Sequence, residues 1–352
     1  MTKAAELAKM GEVLTNSQIG GRRNLIINGA MQVAQRSTST TGLGSSISYG
    51  SLDRFIIEAG NTAGRLTMAQ VADVHDGFAN AMKLTCTTAD TSIASNEFAI
   101  LSQRLEGQDL QQMKKGTSSA ESVTVSFYVK GNASATYTLE LRDNDNSRFN
   151  SQEFPVTTDW VRVSRTFVGD TTGAFDDDNA LSLKCNIHLH AGSDLDGGTH
   201  VSNTWGTTSN TRVGENQTSF FDSTDRTFFI TGWQMELGSQ ATPFEHASSF
   251  GEQLALCQRY YYDPKLTAGN YWWLNPILTN NVGHYRRASF PLPTAMRADA
   301  TATFTAATNG SFASGFPAVE GNDHRHYIGF SGDVTNEASY VSINALTLDA
   351  EL

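Results

Sequence analysis

At 352 residues the chain exceeds one ordinary domain, so two folded units plus a short appendage are expected. A formal net charge of −11 repels a phosphate backbone and anionic lipid, which excludes nucleic acid as a partner and keeps a multi-copy assembly soluble. Cys86, Cys185 and Cys257 are odd in number and far apart, with no zinc or redox spacing, and no apolar run reaches the roughly 20 residues of a membrane span, so membrane insertion is excluded as well.

The opening stretch has no apolar signal region and no cleavage site, so synthesis in a reducing cytoplasm is expected. Within residues 2–14, Leu7, Met10, Val13 and Leu14 recur at helical spacing between Lys3, Glu6, Lys9 and Glu12. A helix this short is marginal alone and needs a partner surface. Residues 16–23 follow as a polar, Gly-Gly hinge, making residues 1–23 an attachment element.

From residue 24 to 247 the apolar period is two, broken repeatedly by Gly, Asn, Asp and Ser. Asn28-Gly29 is a turn dipeptide. Val123, Val125, Phe127 and Val129 fall on one face of a strand. Tyr137, Leu139 and Leu141 do the same in a second, and Leu181, Leu183, Cys185, Ile187 and Leu189 in a third. A late strand is expected to point Phe229, Trp233, Met235 and Leu237 inward. Many short strands at this spacing define an all-β jelly-roll β-sandwich.

Over residues 248–263 the pattern turns helical. Ser249 and Glu252 have capping-box spacing, Asp263-Pro264 supplies a stop, and Phe250, Leu254, Cys257 and Tyr261 are expected on one face of a linking helix packed on the sandwich. Residues 264–352 return to short strands between Gly-rich and Asn-rich turns, the pattern of a smaller C-terminal β domain.

The succession NLIINGAMQVAQRSTS, SLDRFIIEA, VTVSFYVKG, YTLELRD, TTDWVRVSRTF, FFITGWQMELGSQATPFEH and SFGEQLALCQRYY resembles a family of phage tail-fibre and virion structural proteins that carry a jelly roll similar to carbohydrate-binding modules. The resemblance spans residues 22–262, and SINALTLDAEL is similar to the close of such proteins. It implies a non-enzymatic virion component assembled in the host cytoplasm, commonly a homotrimer, bound to other virion proteins through its N-terminus and to a host cell-surface glycan. Three readings stay open: an adhesin, a head or tail decoration protein with no host ligand, and a polysaccharide depolymerase.

Candidate sites follow from residue chemistry. The chain has no nucleophile elbow, Walker loop, zincin motif or dinucleotide fingerprint, so no catalytic residue is nominated and no cofactor is expected. Structural calcium is the exception, since RDNDNS with Asp143 and Asp145 and SDLDGG with Asp194 and Asp196 are oxygen-rich loops. The paired histidines His188 with His190 and His324 with His326 are further metal candidates, because trimeric fibre tips in the resembling systems can hold ions on such pairs. On strand alternation His188 and His190 oppose the apolar face and are expected at the surface or a subunit contact. For glycan contact the candidates are Trp205, Trp272, Trp273 and Tyr285, whose rings can stack on sugars, and Arg286 and Arg287, whose guanidinium groups can fork onto a carboxylate or phosphate.

Overall fold

A computed structural model describes residues 3, 23–266, 272–274, 284–309, 318–320, 326–334 and 340–352. The chain divides into two units, residues 1–248 with Leu352, and residues 249–351. Leu7, Met10, Val13 and Leu14 lie outside the described residues.

The first unit is a jelly-roll sandwich of two antiparallel six-stranded sheets. One sheet runs in the order β1 (Ser39–Leu43), β4 (Arg65–Val71), β5 (Ala81–Thr88), β12 (Thr227–Leu237), β7 (Val123–Gly131), β10 (Val161–Phe167). The other runs β2 (Ser48–Tyr49), β3 (Ile56–Gly60), β6 (Phe98–Glu106), β11 (Leu181–Ala191), β8 (Ala135–Asp143), β9 (Arg148–Val156). Between them lies one continuous core. Val123, Val125, Phe127 and Val129 enter it from β7, Tyr137, Leu139 and Leu141 from β8, and Leu183, Cys185, Ile187 and Leu189 from β11, as the period-two pattern requires. Trp233 is fully buried at the centre, its ring stacked on Phe55 at 5.5 Å and tilted against Phe127 at 5.9 Å. Each such ring removes a large apolar area from water, worth about 1.5–3 kcal/mol.

Residues 24–33 thread into the edge of this core. The Asn24 side chain accepts from the amides of Ile26 and Met235 and donates to the Trp233 carbonyl, and Asn28 (φ 63°) opens the expected turn. Gly29 follows because a Cβ there would fall 2.0 Å from the Trp233 carbonyl oxygen.

Strand β12 departs from simple alternation. Phe228 and Ile230, then Trp233 and Met235, face the core, Leu237 packs partly against it, and Phe229 lies on the opposite face beneath Lys83 and Lys130. The register against β7 shifts between Thr231 and Gln234, where Gly232 has φ 62°. This β-bulge inserts one residue and reverses which parity faces inward, so the expected inward place of Phe229 is corrected.

The second unit begins with α2 (Phe250–Gln258); α1 (Ser193–Asp196) is a single turn in the first unit. The Ser249 hydroxyl accepts from the Glu252 amide, as the capping spacing predicts. The helix ends five residues earlier than expected. Gln253 and Cys257, four residues apart, form its buried stripe, Phe250 is exposed, and Tyr261 belongs to β13 (Tyr261–Tyr262), paired with β19 (Tyr340–Asp349). β14 (Trp272–Leu274) and β16 (Thr301–Asn309) also pair with β19. β15 (His284–Pro291), β18 (Tyr327–Val334) and β17 (Ala318–Glu320) make a separate sheet. Met296, Ile328, Ile343, Leu346 and Leu348 form this unit's core.

Candidate functional site

The outward face of the β2–β9 sheet is the polar surface of the sandwich. Residues two apart on β11 point to it, and antiparallel pairing sets each between two neighbours. Lys184 lies between Arg104 of β6 and Arg142 of β8, Asn186 between Ser102 and Glu140, and His188 between Ile100 and Thr138.

Residues 192–226 fold back over part of this face. The Gly214 amide donates to Thr138 Oγ1, the Asn216 amide to Glu153, the Thr218 amide to the Thr136 carbonyl, and Gly206 bridges to Phe149. Beneath this cover Glu140 is fully buried, accepting two hydrogen bonds from Arg212 at 2.7 and 2.8 Å, one from Asn186 at 2.8 Å and one from His188 Nε2 at 3.1 Å. Burial alone would raise its pKa. Arg212 and His188 outweigh that and hold the carboxyl well below the usual range.

His188 and His190 are therefore fully buried, which corrects the expectation of a surface or subunit contact. The side opposite the core is not solvent here, because the returning segment makes a second buried layer. His190 Nδ1 lies 2.8 Å from Ser219 Oγ and its Nε2 lies 3.2 Å from Glu97. With a carboxylate as partner, Nε2 carries the proton and donates. Asp90, Glu97 and His190 are all buried, with ligand atoms within 4.8 Å of one another. Among the described residues this is the group that could hold a metal, and its mixed oxygen and nitrogen set suits a transition ion better than calcium.

Where the cover stops, the same sheet face opens into a cleft of about 360 Å³ lined by Glu58, Asn96, Phe98, Ile100, Arg142, Lys184, Asn186, Asp194, Leu195 and Arg212. Glu58 bridges the lining Lys184 to Arg104 beside it, accepting from Lys184 at 2.9 and 3.0 Å and from Arg104 at 2.9 and 3.0 Å. Burial pushes the Glu58 carboxyl up, but Lys184 and Arg104 prevail and lower it. Phe98 is the lining aromatic, set beside Gly60, where a Cβ would meet its ring at 2.7 Å. The floor is four paired strands, β3, β6, β11 and β8, so these groups keep fixed spacing.

The nominated sites fare unevenly. Asp143 is buried and its carboxylate lies 2.6 Å from Lys115 Nζ, which also contacts Asp170 at 3.2 Å and the carbonyls of Thr172 and Gly173 at 2.8 and 2.7 Å. The protein's own ammonium thus pairs with Asp143, one of the two carboxylates expected of a calcium loop. Asp145 is exposed and accepts from the Asp176 amide. Asp194 lines the cleft from α1, while Asp196, half-buried, has its carboxyl raised by burial. Trp205 is half-buried against the core, its Nε1 donating to the Val168 carbonyl at 2.7 Å, and it does not line the cleft. Trp272 and Trp273 lie in β14, and Tyr285, Arg286 and Arg287 in β15; their side chains fall outside the described residues, as does His324. His326 is exposed. Sequence reasoning missed Phe98, Arg142, Lys184 and Glu58. The available signal was parity alone, since Arg142 and Lys184 alternate with core residues in strands already recognised.

No family model matches the chain, and no curated protein matches it. Among solved structures, a family 4 carbohydrate-binding module is similar at 11% identity, covering 60% of this chain and 98% of that one, with a TM-score of 0.31. The xylan-binding CBM22-1 domain of a Paenibacillus barcinonensis protein is similar at 13% identity, covering 63% and 100%, with a TM-score of 0.29. The enzymatically active domain of bacteriophage CBA120 tailspike protein 4 is similar at 14% identity, covering 61% of this chain and 21% of that one, with a TM-score of 0.31. The class the strand order defines is an all-β jelly-roll sandwich followed by a second, smaller β-rich unit.

Proposed function

We propose that this chain is a non-catalytic glycan-binding structural protein, and that it binds sugar in the cleft on the β2–β9 sheet. The observation that carries the reading is the cleft itself, which sets fixed polar groups around one aromatic ring, Phe98, on a rigid strand floor. Sugars are recognised by that combination, stacking on a ring and hydrogen bonding from preplaced side chains. Binding is favoured over hydrolysis because Glu58, the glutamate of the cleft, is engaged by Lys184 and Arg104, which lower its pKa, the direction opposite to that of a general acid.

The sequence resemblance to phage tail-fibre and virion proteins supports placing this module in a virion as an adhesin. There, a homotrimer held through the N-terminal segment would gain avidity from repeated weak sites. The test is an array of bacterial surface glycans probed with the purified chain and with Phe98→Ala and Phe98→Tyr. Retention by wild type and Phe98→Tyr, with at least tenfold weaker binding by Phe98→Ala, is the expected result. Equal binding by Phe98→Ala would remove the cleft from the reading, and release of oligosaccharide during incubation would replace it with a depolymerase.

A further inference from the structure

The cation arrangement in the cleft carries a statement about the ligand's charge. Arg104, Lys184 and Arg142 come from β6, β11 and β8, and strand register sets them side by side in one cross-strand row. Like charges directly opposite one another destabilise a sheet. Two of the three have partners: Glu58 accepts from both Arg104 and Lys184, and Arg104 also donates to the Leu352 carbonyl. Arg212, also in the lining, forks onto Glu140 through Nε and Nη2. Arg142 is left. It lines the cleft half-buried and has no hydrogen bond or ion pair with any described residue. Burial, with Arg212 adding to it, lowers its guanidinium pKa, so its surroundings disfavour the charge and Glu140 and Glu58 only partly offset that.

We propose that the cleft selects glycans whose sugars carry a single negative charge, a carboxylate or a sulfate ester, and that Arg142 is the residue that receives it. This rests on the glycan-binding reading above. A guanidinium with its planar fork unoccupied matches two oxygens of one such group, a contact stronger than a neutral hydrogen bond. The charge is set at one because a single lining cation has its fork unoccupied, while Glu58 and the exposed Asp194 line the same cleft and would repel a phosphate dianion. Asn96, exposed at the rim, has a side-chain amide without a partner among the described residues and is placed to meet a sugar hydroxyl.

Titration calorimetry at low ionic strength tests this with oligogalacturonate, its neutral methyl ester and a sulfated oligosaccharide, on wild type and on Arg142→Gln. The expected result is that one acidic ligand binds wild type at least tenfold tighter than the ester. Arg142→Gln should abolish the advantage of that ligand over the ester and leave the thermal midpoint undiminished. Which acid responds identifies carboxylate or sulfate as the source of the charge. Equal affinity of wild type for the acids and the ester overturns the selectivity while leaving glycan binding in place. Unchanged acid binding by Arg142→Gln removes Arg142 from the role. Absence of binding by every sugar, charged or neutral, here and on the array, overturns the glycan reading itself.

Discussion

Lys115 and Arg142 are basic side chains near the same end of β8, on opposite sides of the sheet, and the protein treats them in opposite ways. Lys115 is buried in a cage of two carboxylates and two carbonyls. Arg142 precedes the Asp143 that closes on Lys115, and strand alternation turns it to the other face, where it forms no ion pair with any described residue. A buried cation left uncompensated would cost several kcal/mol, and the cage avoids that cost. A half-exposed one costs less and can be tolerated where a ligand completes it. The difference separates the structural charge of the cage from the charge of the cleft proposed for recognition.

The largest effect that would break this comparison is on the cage. Lys115→Met leaves the Asp143 carboxylate buried without its cation and is expected to cost about 3–5 kcal/mol, read as a lower denaturant midpoint at unchanged slope. A loss below about 1 kcal/mol would mean that the cage is not structural.

Acid should act next, through carboxyls that the fold holds in the ionised form. Asp170 is lowered in spite of burial by Arg148, the Thr172 amide and Lys115, and Glu58 and Glu140 are lowered by their own cations. Their folded pKa values lie below the unfolded values of 3.8 and 4.5. The stability they contribute is therefore complete above about pH 5 and is lost as pH falls through the folded values. Thermal midpoints measured from pH 7 to 3 should stay level and then drop steeply below about pH 4. A midpoint that rises on acidification would contradict this.

The smallest effect sharpens the comparison most. Arg142→Gln relieves a like-charge row and is expected to change stability by no more than about 0.5 kcal/mol, in the stabilising direction. Differential scanning calorimetry of the mutant beside Lys115→Met would show one midpoint unmoved and the other sharply lowered. A comparable loss in both would make Arg142 an ordinary structural arginine.

The alternation in 123–131 predicts β7 with its inward face correct, and the Ser249 to Glu252 spacing predicts the start of α2, because both depend on residues within one turn or one strand. The bulge at Gly232 was not legible in the same way. Whether a glycine flips the parity of β12 depends on its pairing with β7, about a hundred residues away. The histidines show the same limit, since alternation placed His188 and His190 opposite the core correctly, yet their burial depends on residues 192–226 returning over them.

By itself the sequence determined the all-β class, most of the strands and the inward face of each, because hydrophobic burial acts on a period of two within a single segment. Only the tertiary structure decided which outward-facing charges meet. Arg104, Arg142 and Lys184 are some forty residues apart from one to the next, and antiparallel register, which no local pattern encodes, brings them into one row and leaves Arg142 without a partner.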